Sequence, residues 1–192
     1  MNPETKQKYW AFGLLKPSNP YHHEILNTLE RYTLNGVQPE YIYKNRLTEY
    51  LTKDHPVCKV AINIRKLRVN TRGTIINLPL EGKGYDIAQA FAGTMIRNQL
   101  QTIVTPLDTA LRDLKENGLR PAAVYVLTYP TRYNGHVTDY NRVSLFDLFV
   151  WAETKGVYLC IINDSANTGS FSFTDDESGY LASRFFPVGE IQ

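Results

Sequence analysis

A helix, a glycine and an apolar strand follow one another twice between positions 105 and 164, and this repeat constrains the fold most strongly. The strands are AAVYVLTYP and VYLCIIND, and both are apolar almost throughout. Such strands are buried on both faces, which is typical of parallel strands joined by crossover helices. The helix boundaries come from capping residues and glycines: Thr105, Pro106, Asp108 and Gly118 in the first unit, and Ser144, Asp147 and Gly156 in the second.

We therefore predict an α/β or mixed α+β fold, with a central, mostly buried sheet, crossover helices and a helix-strand-helix-strand unit over about 105–164. VCKVAINIRKLRV and GTIINLPL are rich in Val and Ile, and NTRG lies between them, which predicts a hairpin over about 57–80. EGKGYDIAQAFAGTMIRNQLQTIV has helical spacing of its apolar residues. KYWAFGLL predicts a strand, Asn19 and Pro20 a helix start, and the tail an edge strand or a closing helix.

The length of 192 residues, with 43% hydrophobic and 21% charged residues, predicts one folded domain over 1–192. An alternative is that residues 1–56 form a peripheral strand-helix subregion of this domain. The polar start and the lack of long apolar runs predict no signal peptide and no membrane partner. Two cysteines in apolar runs predict buried thiols in a reducing compartment, hence a cytoplasmic protein. The oligomeric state, including a homo-oligomer, stays open.

Two polar loops follow the predicted parallel strands, and ligands bind beyond the carboxyl ends of such strands. If the strands are neighbours, the two loops face one cleft. An imidazole beside a carboxylate can act as a general base, so His136 and Asp139 are candidate catalytic residues. The alternative is that both loops are ordinary polar connections. The candidate ligand and phosphate contacts are Arg132, Asn134, Asp164, Ser165 and Thr168.

Asp139 or Asp147, followed by Glu153, Thr154 and Lys155, resembles the motif of the PD-(D/E)xK nucleases. The resemblance implies that carboxylates hold a divalent metal such as Mg²⁺ and that Lys155 supports the nucleophile. It adds Glu153 and Lys155 to the candidate catalytic residues. The motif requires LFVWAETK to be a strand, whereas the capping residues predict a helix, so both readings stay open.

Two further resemblances each include part of the loop that contains His136. YWAFGLLKPSNP, NLPLEGKG and NGHVTD are similar to segments of nucleoside diphosphate kinases, which implies a ferredoxin-like fold, a phosphate contact from Lys16 and a nucleophilic His136. Gln89 stands about where that family has an arginine. LRVNT and VYVLTYPTRYN resemble the catalytic domain of serine recombinases, in which Asn70 would replace the nucleophile. EGKGYD matches neither the Walker A pattern nor the dinucleotide fingerprint.

Positions 56–80 contain no acidic residue, and their cations predict a nucleic-acid-binding surface with tyrosines available for base stacking. The alternative is that these cations protect an exposed strand edge. The candidate nucleic-acid contacts are Arg65, Lys66, Arg68 and Arg72. The first hypothesis is thus a phosphate-ligand-binding protein that binds or processes nucleic acid, including metal-dependent cleavage. The alternatives are an enzyme or sensor that uses the His136 loop to bind a nucleotide or small phosphorylated metabolite, and a non-catalytic protein-interaction protein. Whether the chain is an enzyme stays open.

Overall fold

The computed structural model describes residues 2–128, 139–165 and 175–189, and in these residues the strands form one parallel sheet with the spatial order β2-β3-β4-β1-β5. The strands are β1 Gly73–Leu78, β2 Thr102–Pro106, β3 Val124–Thr128, β4 Tyr158–Asp164 and β5 Phe185–Gly189. Helices flank the sheet, which confirms the α/β fold class and the helix-strand-helix-strand unit.

The helices are α1 Pro3–Trp10, α2 Pro20–Asn27, α3 Leu29–Leu34, α4 Glu40–Tyr43, α5 Pro56–Asn70, α6 Gly84–Arg97, α7 Leu107–Glu116, α8 Asp139–Lys155 and α9 Asp175–Arg184. A short 3-10 helix covers Leu47–Glu49. In the described ranges, no helix has both the length and the apolar character needed to span a bilayer.

The direction of the crossovers divides the helices between two layers. From β1 the chain crosses to the far edge at β2, and then returns through β3 and β4 and past β1 to β5. Right-handed crossovers therefore place α6 on one face and α7, α8 and α9 on the other. Burial follows this division. Val124 and Val126 pack in one core with Phe91 of α6, whereas Tyr125 packs in the other with Phe149 of α8.

The predicted hairpin over 57–80 is wrong, because its first half is helix α5. Pro56 occupies the first helical turn, where proline is favoured, and the His55 side chain caps the helix by accepting a hydrogen bond from the Val57 N–H group at 3.3 Å. Val60 and Ile64 are buried on one helix face. The second half, β1, pairs in parallel with β4 and β5 instead of turning back on its predecessor.

The amino-terminal segment also differs from its prediction. KYWAFGLL is not a strand, because α1 begins after Asn2, whose side chain accepts a hydrogen bond from the Glu4 N–H group at 3.2 Å. The helix start at Asn19 and Pro20 is confirmed, with Asn19 accepting from the Tyr21 N–H group at 3.0 Å. The strand-helix subregion proposed for 1–56 is therefore helical wherever it has regular structure.

The observed bounds of β2 and α8 differ from those predicted for the later part of the chain. The helix predicted after Gly84 does not continue through TIV, since α6 ends at Arg97 and Thr102–Pro106 forms an edge strand. Helix α8 begins before the predicted capping box, so Ser144 is buried inside it. The tail supplies both a helix, α9, and an edge strand, β5.

A buried glutamine joins the amino-terminal helices to α6. Gln89 is fully buried, and its amide donates to the Gly36 carbonyl oxygen at 2.8 Å while accepting from the Gln38 N–H group at 2.9 Å. Gly93 allows α4 to approach α6, because a Cβ atom there would lie 2.1 Å from the carbonyl oxygen of Tyr41. These contacts fix the layer that covers the first face of the sheet.

We expect Gln89→Met to lower the free energy of unfolding by roughly 2–4 kcal/mol, because it leaves the Gln38 N–H group and the Gly36 carbonyl without their partner. Urea denaturation measures this change. Gln7→Met is the control: Gln7 is exposed on α1, and its replacement should change stability by no more than about 0.5 kcal/mol. Equal effects of the two substitutions would contradict the role of Gln89.

Candidate oxyanion site at the carboxyl ends of β1 and β4

The chain reverses its direction at the carboxyl ends of β1 and β4, and this edge of the sheet is called the crevice below, because open parallel sheets bind ligands at such an edge. These strands are neighbours in the sheet, yet the chain leaves β1 toward α6 on one face and leaves β4 toward α9 on the other. The connections therefore diverge beyond the carboxyl ends of the two strands. In open parallel sheets, this divergence marks the place where ligands bind.

Two amide side chains lie side by side at this edge. Strand register places Asn77 of β1 opposite Asn163 of β4, and the Asn163 amide donates to the Asn77 side-chain oxygen at 2.6 Å. Both are at least 95% buried, at 4% and 1% exposure. Buried amides require hydrogen-bond partners, so this pair gives the crevice a polar floor.

The loop after β1 wraps around the carboxylate of Asp164, the last residue of β4. One carboxylate oxygen accepts from the Leu80 N–H group at 2.9 Å, and the other accepts from the Gly82 N–H group at 2.7 Å. Glu81 and Gly82 both have left-handed backbone conformations, with φ values of 53° and 75°. Such turns direct main-chain N–H groups toward an anion. The loop thus already holds one oxyanion.

The two residues after this turn complete the loop. Lys83 pairs with Glu81 at 3.1 Å, and both side chains are substantially exposed, so their pairing is weak and the ammonium can reach another anion. Gly84 is the first residue of α6. A Cβ atom on Gly84 would lie 3.4 Å from the Cβ atom of Asp164, which is an ordinary van der Waals contact, so Asp164 packs next to the start of α6.

The segment 77–84 shares part of the phosphate-loop pattern, in which a strand, G-x-x-x-x-G-K-[ST] and a helix follow one another. Gly82 and Lys83 match the pattern in both spacing and structural context. Asn77 and Gly84 stand at the positions of the first glycine and the hydroxyl residue. EGKGYD therefore lacks the complete pattern, as the sequence predicted. The available signal was the Gly-Lys pair between a strand and a helix.

The sequence-predicted ligand residues lie at this edge only in part. Asp164 ends β4 in the crevice, and Ser165 follows it and is partly exposed. The other candidates from the two loops, Arg132, Asn134, His136 and Thr168, lie outside the described residues.

The nuclease motif does not assemble in this fold. Helix α8 runs from Asp139 to Lys155, so Glu153 and Lys155 lie on the helix predicted by capping and not on the strand that the motif requires. The helix separates Asp139 from Glu153 by about 21 Å along its axis, too far to share a metal ion. In the part of the chain that is described, His, Cys, Asp and Glu side chains form no group of three or more that could hold one.

Glu153 instead joins α8 to α9. Its carboxylate accepts from the Tyr180 hydroxyl at 2.7 Å and from Arg184 Nε at 3.1 Å. The Tyr180 hydrogen bond and the charge of Arg184 lower the pKa of the Glu153 carboxyl below its ordinary value. Arg184 also lies 4.2 Å from the centre of the Tyr180 ring. This arrangement is a surface ion-pair cluster between two helices.

The basic residues of positions 65–72 lie at the opposite end of the sheet. Helix α5 ends just before β1 begins, so its last turns are near the amino ends of the strands. Arg65 donates to the Asn98 carbonyl oxygen at 3.1 Å, and the Arg72 N–H group donates to the Arg184 carbonyl oxygen at 2.7 Å. The structure therefore separates these cations from the crevice.

No protein-family model matches this chain, and no curated protein sequence does. Its fold is similar to a solved DNA replication initiation factor, with a TM-score of 0.52 and 11% identity over 79% of this chain and 50% of the other. AMPPCP-bound DnaA from Aquifex aeolicus gives a TM-score of 0.52 and 12% identity over 79% of this chain and 51% of the other. Replication initiator DnaA bound to AMPPCP and single-stranded DNA gives 0.50 and 10%, over 80% and 51%.

The chain thus spans about half the length of these solved chains. At 10–12% identity, the similarity shows a shared fold.

We expect Glu153→Gln to lower the thermal unfolding midpoint at pH 7, because it removes the charge that holds Arg184. A carboxyl with a lowered folded-state pKa stabilises the fold above its unfolded-state pKa. The difference from wild type should therefore shrink as the pH falls below the ordinary value of 4.5 and through the lowered pKa. Thermal scans from pH 7 to pH 3 measure it.

Glu116→Gln is the control for this experiment, because Glu116 is exposed at the end of α7. A Glu153→Gln protein that matches wild type at pH 7 would contradict the structural role. If Mg²⁺ raised the thermal midpoint of wild type but not that of Glu153→Gln, Glu153 would be a metal ligand after all.

Proposed function

We propose that this protein binds a phosphate-containing ligand, with a nucleotide as the ligand class, in the crevice at the carboxyl ends of β1 and β4. The observation that carries the proposal is the loop of residues 79–83, whose Leu80 and Gly82 N–H groups already bind an oxyanion. Phosphate oxygens accept the same hydrogen bonds as a carboxylate. A loop with this geometry can therefore hold a phosphate group.

The charges around the loop favour an anion of more than one negative charge. Helix α6 begins at Gly84, so the positive end of its dipole faces the loop. Lys83 supplies a flexible ammonium beside the same N–H groups, held only by an exposed pair with Glu81. Main-chain donors, a helix dipole and a lysine together suit the phosphates of a nucleotide.

The structural comparisons support the nucleotide class. Two of the solved proteins with this fold contain AMPPCP, an analogue of ATP. For the present chain we propose binding rather than hydrolysis. Gly84 offers no hydroxyl group to a phosphate-bound Mg²⁺, whereas phosphate-loop nucleotide hydrolases hold the ion with a serine or threonine at this position of the pattern. Arg132, Asn134, His136, Ser165 and Thr168 remain proposed ligand or catalytic contacts.

We expect isothermal titration calorimetry to detect AMPPCP and inorganic pyrophosphate binding to the wild-type protein. Lys83→Ala should raise the dissociation constant about 10-fold to 100-fold, because it removes a charged hydrogen-bond donor from the phosphate site. Lys53→Ala is the matched control, since Lys53 is exposed and lies before α5. No heat and no thermal stabilisation at millimolar ligand would refute the proposal, and equal affinities of the two variants would refute the assigned loop.

The basic end of α5 supports a second candidate function, the binding of single-stranded nucleic acid. Arg65, Lys66 and Arg72 are all exposed at the amino end of the sheet, within the stretch 56–80 that has no acidic residue. One solved protein with this fold contains single-stranded DNA. Because this surface is remote from residues 79–83, the two functions can be tested separately.

We expect fluorescence anisotropy to show binding of labelled single-stranded DNA that weakens steeply as salt rises. The double substitution Arg65→Ala and Lys66→Ala should reduce the slope of log affinity against log salt by about 2, one for each lost phosphate contact. Lys83→Ala and Lys53→Ala should leave this slope unchanged. The absence of binding at low salt would remove this candidate and leave the nucleotide proposal intact.

A further inference from the structure

The oxyanion in the loop of residues 79–83 belongs to the protein itself. Asp164 is the last residue of β4. One of its carboxylate oxygens accepts a hydrogen bond from the Leu80 N–H group, and the other accepts one from the Gly82 N–H group. Asp164 is buried, with 8% of the residue exposed. It therefore fills the position in which the proposed function places a ligand phosphate.

We infer that Asp164 occupies the phosphate position in the ligand-free protein, so that ligand binding exchanges one oxyanion for another. This inference rests on the proposed function and adds its regulation: an internal carboxylate competes for the same N–H groups. A phosphate and the Asp164 carboxylate cannot both accept hydrogen bonds from these groups. The negative charges of a phosphate and of the Asp164 carboxylate also repel each other, which opposes a state in which both occupy the loop.

The exchange has a definite consequence for affinity. A ligand that binds only the form with Asp164 displaced has an apparent dissociation constant equal to the intrinsic one divided by the displaced fraction. Two charge-assisted hydrogen bonds hold Asp164 in place, so the displaced fraction is small. The wild-type protein should therefore bind phosphate ligands more weakly than its loop alone permits.

Gly84, the first residue of α6, lies next to Asp164. In the phosphate-loop pattern, residue 84 is a serine or threonine. Here a Cβ atom at this position would approach the Asp164 Cβ atom to 3.4 Å and the Asp164 nitrogen to 4.0 Å. These are ordinary contact distances, so Asp164 packs against the first turn of α6, beside the position where the pattern has its hydroxyl residue.

The test compares wild type with Asp164→Ala, using inorganic pyrophosphate and AMPPCP as probes in calorimetry. We expect Asp164→Ala to bind both probes at least about tenfold more tightly than wild type, because the competing carboxylate is gone. Without ligand, its thermal midpoint should fall, since the Leu80 and Gly82 N–H groups lose their acceptor. Pyrophosphate should restore that midpoint. Asp54→Ala, an exposed aspartate before α5, should match wild type in every measurement.

Asp164→Asn provides a second variant if the alanine variant does not fold. Its amide has nearly the same size, but its NH₂ group cannot accept a hydrogen bond, so one N–H group is released. We expect an affinity for pyrophosphate between those of wild type and Asp164→Ala. Acetate is a further probe: it should raise the midpoint of Asp164→Ala more than that of wild type, as a free carboxylate replacing the lost one.

The outcomes separate the inference from the proposed function. If wild type and Asp164→Ala bind AMPPCP or pyrophosphate with equal affinity, the exchange is wrong and the proposed function stands. If acetate rescues Asp164→Ala but neither protein binds a phosphate probe, the loop is a carboxylate site only, and both fail. If the Asp164 variants bind the phosphate probes more weakly than wild type, Asp164 assists the ligand, and the exchange is overturned.

Discussion

The crossover from β1 to β2 runs opposite to the later crossovers, and this reversal determines the main features of the structure. Because crossovers between parallel strands are right-handed as a rule, the reversal places α6 and α7 to α9 on different faces, and two apolar cores result. It also makes β1 and β4 neighbours whose outgoing connections diverge. The polar residues at their carboxyl ends therefore meet in a crevice, although they are far apart in the sequence.

Within that crevice, the charged and polar groups are arranged around a single carboxylate. The Leu80 and Gly82 N–H groups bind Asp164, and the Asn77–Asn163 pair supports the strand ends beneath it. Lys83 and the start of α6 add positive potential at the mouth. An arrangement that stabilises one buried carboxylate also suits a phosphate. The same contacts thus support both the stability of the ligand-free protein and the proposed binding.

Local signals predicted the second half of the fold better than the first. Gly118 and Gly156 adopt positive φ at helix ends, as their sequence positions indicated, and the strand that follows each of them is buried. In α5, β-branched residues suggested a strand, but the cap at His55 and Pro56 and the packing of one apolar face stabilise a helix. The crevice could not be predicted, because it depends on strand order. The contact of Asp164 with the loop after β1 joins residues more than eighty positions apart.

Amide chemical shifts test the central claim most directly. A protein labelled with ¹⁵N and ¹³C is titrated with inorganic pyrophosphate, and the Leu80 and Gly82 N–H signals are followed together with the Asp164 side-chain carboxyl carbon. We predict that all three signals move along the same saturation curve, since the two N–H groups exchange the carboxylate for a phosphate. Saturable binding that leaves these three signals in place, or no saturable change anywhere, would contradict it.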